Sequence, residues 1–169
     1  PASMAVRWQV QLAQDDPARA WRFSRDARWL ALGTTHGRVH VVDVRDGTRR
    51  ELASGPVGTV RWLEFDRAAT TLVANSEAGE IVAWDVASGR PRAGLLRTSR
   101  RTVQTAVRIV ADSVFSADSS ELRAWQLAPL APFDNAAVAD AARLRSRRTF
   151  FPHGFDVHAS GRQLVTGDQ

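Results

Sequence analysis

A short apolar segment recurs three times along this chain at a nearly constant spacing. It occupies Arg38–Val44 (RVHVVDV), then Glu80–Val86 (EIVAWDV), then Glu121–Leu127 (ELRAWQL). Val42 and Trp84 lie 42 positions apart, and Trp84 and Trp125 lie 41 apart. A fixed period near 40 residues indicates a chain assembled from one repeated unit, and such units bury their apolar faces by stacking on their neighbours.

Within each repeat the residue pattern predicts four short strands joined by tight turns. Three landmarks recur 42 positions apart in the first two repeats: Phe23 and Phe65, Leu30 and Leu72, Gly37 and Gly79. The predicted strands are Ala18–Phe23, Trp29–Leu32, Val39–Val42 and Arg49–Leu52 in the first repeat, and Val60–Phe65, Thr71–Ala74, Ile81–Trp84 and Arg92–Leu96 in the second. The pattern therefore predicts an all-β chain, a β-propeller segment of four-stranded antiparallel blades.

Trp84 and Trp125 hold the same position in successive repeats, at the end of the third strand. Since blades pack face to face, the middle strands of a blade are buried on both sides, and large aromatic side chains fill the space between diverging blades. We therefore interpret both tryptophans as core residues and not as a platform for a ligand.

The repeats resemble those of the WD-repeat propeller family, and the resemblance covers residues 6 to 169. Three segments carry it, each similar to the family's Phe-Ser-Pro-Asp-Gly-x-x-Leu: Phe23–Leu30, Phe65–Leu72 and Val157–Leu164. Trp84-Asp85 adds the dipeptide for which the family is named. The resemblance implies a non-catalytic module that binds partners through the loops before the first strands and the turns between the second and third strands.

The chain departs from the family pattern at two places. The family's Gly-His pair before the first strand is missing, since Ser54–Val57 stands there, and the buried Asp of the turn before the third strand is replaced by His36, Ala78 and Ser119. In the family these residues join a buried hydrogen-bond network. Each blade is expected to lose rigidity, by about 1 kcal/mol for each absent hydrogen bond.

The repeat register divides the chain into segments. Residues 1–5 are interpreted as a tag remnant or terminal tail, and residues 6–17 as the outer strand of another blade followed by a loop. The expected blades are residues 18–57, 58–99, 100–151 with an insertion at 128–147, and 152–169 as the first half of an incomplete fourth blade. In the insertion, the spacing of Val138, Ala141, Ala142 and Leu144 predicts a short helix around residues 134–146. Thr149–Phe151 would be the displaced outer strand.

Composition excludes several function classes. The chain has no cysteine, which rules out disulfides, thiolate metal sites and a cysteine nucleophile. No apolar run approaches the length of a membrane span. We find no nucleophile motif, no phosphate-binding glycine loop and no metal-ligand spacing, so the chain is predicted not to be an enzyme and to use no cofactor or metal.

All 23 basic residues are arginines, and the net charge is +5. The arginines fit either a surface for phosphate or carboxylate groups or the coding bias of a GC-rich, bacterial-type genome, and their even spread favours coding bias. The one dense run contains Arg143, Arg145, Arg147 and Arg148. It is interpreted as a solvated helix end, with a basic patch as the alternative.

The candidate contacts for a partner lie on the loops and turns that the family resemblance singles out. They are Asp16, Arg19, His36, Val57, Arg61, Glu77, Arg100, Arg101 and Asp118. Arg19 and Arg61 fall at equivalent positions of the repeat and are expected to project from the same face, as an anion-binding pair would.

The sequence favours a non-catalytic protein–protein interaction module, a scaffold or sensor domain of a larger cytoplasmic protein. Its open blade faces are expected to be covered by the remainder of a propeller, by a second copy or by another protein. The alternative is a nucleic-acid-binding propeller that uses the arginine-rich face, and a propeller enzyme comes third.

Overall fold

The computed structural model describes residues 5–97, 106–110, 113–117, 122–127, 155–157 and 164–166. These residues form thirteen strands and no helix. The strands are β1 (Ala18–Phe23), β2 (Trp29–Thr34), β3 (Val39–Asp43), β4 (Arg49–Glu51), β5 (Val60–Phe65), β6 (Thr71–Ser76), β7 (Glu80–Asp85), β8 (Pro91–Arg97), β9 (Ala106–Val110), β10 (Ser113–Ala117), β11 (Leu122–Gln126), β12 (Phe155–Val157) and β13 (Leu164–Thr166).

The strands form consecutive antiparallel sheets in which sequence neighbours pair. Blade 1 is β1-β2-β3-β4 and blade 2 is β5-β6-β7-β8, while β9-β10-β11 form a third sheet and β12-β13 a fourth. First strands of consecutive sheets contact one another: β1 with β5, β5 with β9, and β9 with β12. The predicted all-β fold with four-stranded antiparallel sheets is confirmed. The predicted helix at 134–146 and the predicted outer strand Thr149–Phe151 lie outside the described residues.

Blades 1 and 2 share one internal register. Phe23 pairs with Leu30, and Phe65 pairs with Leu72. Each first strand carries a β-bulge near its start, between Ala18 and Ala20 in β1 and between Val60 and Trp62 in β5. The 42-residue repeat of the sequence is therefore a repeat of local geometry, including its irregularities.

The main core lies between blades 1 and 2. Its buried members come from both sheets and include Ala31, Val39, Val41, Leu63, Phe65, Leu72 and Trp84. The Trp84 side chain is completely buried, and its indole Nε1 donates to the Ala53 carbonyl at 2.5 Å. Trp84 is therefore a core residue, as predicted, while the Trp125 side chain lies outside the described part.

Gly33 allows blades 1 and 2 to approach closely. A Cβ at this position would lie 2.4 Å from Cγ1 of Val60 and 2.6 Å from its Cβ. Real Cβ atoms do not come that close, so a larger residue would push the two blades apart. A second core, which includes Val73, Ile81 and Val114, packs blade 2 against the third sheet.

The third and fourth strands of blades 1 and 2 are joined by turns of one design. Gly47 and Gly89 have φ values of +78° and +71°, which suit glycine, and each donates its N–H to the backbone carbonyl of the aspartate that ends the third strand, Asp43 or Asp85. Arg45 donates three hydrogen bonds to the Asp43 carboxylate, and these hold the pKa of Asp43 down to about 2.

The segment before blade 1 lies against this turn. Trp8 Nε1 donates to the Val44 carbonyl at 2.8 Å, and Arg49 Nη1 donates to the Gln11 carbonyl at 2.6 Å. An equivalent contact occurs in blade 2, where the Val86 carbonyl accepts from Arg50. Val86 and Arg50 lie 42 positions after Val44 and Trp8. Residues 5–13 pair with no strand among the described residues, so the assignment of residues 6–12 to an outer strand remains a prediction.

Candidate interaction surface

The leading loop of blade 1, which precedes β1, is tied to the β2–β3 turn by one buried carboxylate. Asp16 is 3% exposed. Its oxygens accept from Thr34 Oγ1 at 2.9 Å, from Thr35 Oγ1 at 2.9 Å and from the His36 backbone N–H at 2.7 Å. Arg38 Nε lies 3.6 Å from the same carboxylate. Asp16 is thus directed inward and is held by structural contacts.

These contacts set the charge state of Asp16. Burial alone would raise the pKa of this carboxyl, because it removes water from the charged form. The hydrogen bonds from His36, Thr34 and Thr35, with the nearby His36 side chain, outweigh burial and leave the pKa below its ordinary value of 3.8. Asp16 is therefore a charged acceptor at neutral pH.

Blade 2 ties the same two segments together from the opposite side. Here the carboxylates come from Glu77 in the β6–β7 turn and from Glu80 at the start of β7: Glu80 accepts from the Val57 backbone N–H at 2.8 Å, and Glu77 accepts from the Thr59 backbone N–H at 3.3 Å. Glu80 is buried. The expected loss of a loop-to-turn network in each blade is therefore wrong for blades 1 and 2. A carboxylate is present in both, at positions that differ from the family pattern.

Arg19 and Arg61 occupy the two β-bulges of the first strands. A bulge leaves one residue outside the ladder and redirects its side chain, and both of these side chains are exposed. Together with Trp21, Trp62 and Leu63 they line a groove between β1 and β5 with a volume of about 260 Å³. The predicted placement of the two arginines at equivalent positions agrees with this geometry.

The charges around the groove are only partly compensated. Arg61 Nη2 contacts Glu77 at 3.1 Å, and Arg22 Nη2 contacts Glu64 at 2.5 Å. Arg19 has no carboxylate within ion-pair distance among the described residues. The groove therefore combines aromatic walls with an excess of guanidinium groups, which suits an anionic group.

A second arrangement of charges follows the first strands from sheet to sheet. The guanidinium of Arg22 lies 5.7 Å and that of Arg108 lies 4.8 Å from the ring centre of Trp62, so both stack on one indole. Glu64, two residues after Trp62 and on the same side of β5, accepts from Arg22. Blades 1 and 2 and the third sheet are thus linked at their first strands by polar contacts as well as by the core.

The side of blade 1 turned away from blade 2 is the open face, formed by Trp21, Phe23, Leu30, Leu32, His40 and Val42. Trp21 is directly opposite Leu32, which is opposite His40; Phe23, Leu30 and Val42 form the second row. Trp21 is 68% exposed and Phe23 46%, and their rings meet edge to face at 6.1 Å. Adjoining exposed aromatic residues form an apolar patch of the kind whose burial favours association.

The open face is exposed to solvent only on its first two strands, β1 and β2. His40 and Val42, on β3, are buried, whereas Leu30 and Leu32, on β2, are half-buried. Nδ1 of His40 has no hydrogen-bond partner within the described part, and burial lowers the pKa of this histidine. His40 is therefore a packed residue of blade 1.

The remaining candidates divide into two groups. His36, Val57 and Glu77 are exposed on the loop-and-turn side, as a partner contact requires, whereas Asp16 is buried. The others lie outside the described residues: Arg100, Arg101, Asp118 and the run of Arg143, Arg145, Arg147 and Arg148. Within the described ranges no group of three potential metal ligands occurs, and no helix long and apolar enough to span a membrane is found.

Sequence comparison did not find a match: neither a family model nor a curated protein matches this chain. Solved structures, in contrast, do match this chain. The β-propeller domain of Cps50 (Swd1) from Myceliophteria thermophila is similar with a TM-score of 0.67 and 17% identity, over 89% of this chain and 48% of that chain. The computationally designed Ika4 protein gives a TM-score of 0.63 at 19% identity, over 78% of this chain and 81% of that one.

A chain of the mitotic checkpoint complex is also similar, with a TM-score of 0.60 and 21% identity, over 73% of this chain and 38% of that chain. The present chain thus spans less than half of each of these two natural chains. Identities at this level report the fold alone. Together with the antiparallel four-stranded sheets, they show that this chain has a β-propeller-type fold.

Proposed function

We propose that this chain is a non-catalytic protein-interaction module whose open face on blade 1 is covered by association. The observation that carries the proposal is the exposed row of Trp21 and Phe23, backed by the half-buried Leu30 and Leu32. Complete burial of one large apolar side chain contributes about 1.5–3 kcal/mol. Covering these four side chains would therefore offset a substantial part of the cost of association.

The groove between Arg19 and Arg61 is the second element of the proposed function. Its guanidinium groups and its tryptophan walls suit an acidic segment of a protein partner. A partner in this groove would contact blades 1 and 2 together, because the groove is lined by β1 and β5. Trp21 belongs to both surfaces, so a partner that covers the open face also borders the groove.

Sedimentation velocity over a concentration series tests the open-face proposal. We expect association of the wild-type chain and its loss in the double variant Trp21→Ser/Phe23→Ser. The matched control is Trp21→Phe/Phe23→Leu, which keeps both positions apolar and should keep the association. A wild-type chain that remains a soluble monomer at every concentration would overturn the proposal, as would equal behaviour of the serine and apolar double variants.

A further inference from the structure

The first strands of the sheets carry an alternation of charge that the 42-residue repeat does not reveal. The pairs Phe23–Leu30, Phe65–Leu72 and Ile109–Val114 join the first strand of each sheet to its second, and in the third sheet the pairing continues for one more residue, to Val110 with Ser113. Each second-strand residue is in turn opposite a landmark of the third strand: Val42, Trp84 and Trp125. The residues one position earlier in the first strands are therefore equivalent: Arg22, Glu64 and Arg108.

The fourth sheet continues the series. Val157 pairs with Leu164, and seven positions separate these two residues, as they separate Phe23 from Leu30 and Phe65 from Leu72. Asp156 therefore takes the register position of Arg22, Glu64 and Arg108. The charges along the four first strands alternate as plus, minus, plus, minus.

The described contacts include an ion pair between the first two members of this series. At the junction of blades 1 and 2, Arg22 reaches Glu64 with Nη2 at 2.5 Å and Nε at 3.2 Å. At the next junction, Arg108 stacks on Trp62, two residues before Glu64. A sheet placed before blade 1 would continue the series only if it carries an acidic residue at this register position, because a like charge opposite Arg22 would repel it.

The open face of blade 1 and the β12-β13 sheet are complementary in this respect. Arg22 lies on β1 between Trp21 and Phe23, the two exposed aromatic residues of the open face, and Asp156 takes the matching register position on β12. The β3 side of the open face is already buried, so an occupant has to cover only its β1 and β2 strands.

We propose that the occupant of the open face is the β12-β13 sheet of a second copy of this chain, with Asp156 of one copy paired to Arg22 of the other. This proposal rests on the proposed function, since it names the partner that covers the open face. Because blade 1 and β12-β13 are different surfaces, each contact is head to tail, and two such contacts between two copies close a symmetric dimer.

Sedimentation velocity with charge variants tests this partner. Asp156→Arg places two arginines opposite each other and should weaken the association of the two copies by about tenfold or more, and more strongly at low salt. Asp15→Arg makes the same change of charge at an exposed position of the leading loop and should leave the association unchanged. The circular dichroism spectrum of each variant shows whether its strands have formed.

A rescue variant distinguishes loss of this ion pair from any other way in which Asp156→Arg weakens the association. The exchange Arg22→Glu/Glu64→Arg retains an ion pair between β1 and β5 with reversed signs, and it presents a carboxylate to Arg at position 156. Combined with Asp156→Arg it should restore most of the lost association.

The outcomes separate the two proposals. Both proposals require that the association depends on Trp21 and Phe23. If that association responds equally to Asp156→Arg and Asp15→Arg, or is not rescued by the exchange, the partner is not the second copy and the proposed function still stands. A chain that does not associate at all would overturn both.

Discussion

Replacing Asp16 by Asn tests whether one carboxylate fastens the leading loop of blade 1. The variant keeps the shape of the side chain, but its amide offers one oxygen and one NH2 group. Either Thr34, bound to one carboxylate oxygen, or Thr35 and the His36 N–H, bound to the other, therefore lose their acceptor. A hydrogen bond to a charged group contributes about 1.5–3 kcal/mol. The hydrogen bonds that remain are made to a neutral amide and are weaker. We expect a loss of about 2–4 kcal/mol in the free energy of unfolding.

Chemical denaturation followed by tryptophan fluorescence measures this loss. The control is Asp15→Asn, which removes the neighbouring exposed carboxylate and should change the free energy of unfolding by no more than about 0.5 kcal/mol. Typical domains have a free energy of unfolding of about 5–15 kcal/mol, so a loss of this size is large enough to measure. If the two variants unfold at the same denaturant concentration, the structural role given to Asp16 is wrong.

The pH dependence provides a second check on Asp16. Its pKa is lowered in the folded chain from the ordinary value of 3.8, so the unfolded chain binds the proton first as pH falls. The stabilisation by Asp16 is therefore complete above pH 5 and declines as the pH falls through 3.8 toward the lowered folded value. The difference between wild type and Asp16→Asn should be constant from about pH 5 to 8 and should shrink below about pH 4. A difference that remains undiminished at pH 3 would contradict the assignment.

Three further predictions concern the core and the charge of the chain. Gly33→Ala should cost about 1–3 kcal/mol in thermal or chemical unfolding, because the new Cβ overlaps Val60 across the blade 1–blade 2 contact; an unchanged midpoint would show that the blades can separate freely there. Trp84→Phe should cost about 2 kcal/mol or more, since it removes the hydrogen bond to the Ala53 carbonyl and leaves a gap in the core; a cost below about 0.5 kcal/mol would contradict this packing. On immobilised heparin the chain should elute at low salt, and retention to high salt with a steep salt dependence would instead support the nucleic-acid alternative.

The strands of blades 1 and 2 could be predicted from the sequence because the repeat is regular there. Phe23, Leu30 and Gly37 recur 42 positions later, and this spacing aligned each strand of blade 2 with its counterpart in blade 1. The observed strands begin and end within two residues of the predicted ones. The burial of Trp84 followed from the same pattern.

The loop-to-turn network was missed because its carboxylate changes sides between blades. In blade 1 Asp16 belongs to the leading loop, and in blade 2 Glu80 belongs to the third strand. The sequence holds a signal for this exchange: Asp16 aligns with Gly58, and Arg38 aligns with Glu80. A comparison restricted to the family's own network positions does not detect it.

The charge alternation was missed for a different reason. Glu64 and Arg108 lie 44 positions apart and not 42, because the hairpin between β9 and β10 is shorter than those of blades 1 and 2. Only the strand pairing shows that the two residues are equivalent. The exposed Trp21 also could not be recognised by residue type, since Leu63 at the same position in blade 2 is buried by blade 1.

Oxidative footprinting across a dilution series tests the central claim that the open face of blade 1 is covered by association. Hydroxyl radicals modify tryptophan where solvent reaches it, so Trp21 should be protected at high concentration and become reactive on dilution. Trp84, fully buried in the core, should stay protected throughout and serves as the internal reference. Equal reactivity of Trp21 at all concentrations, with Trp84 protected, would contradict the account.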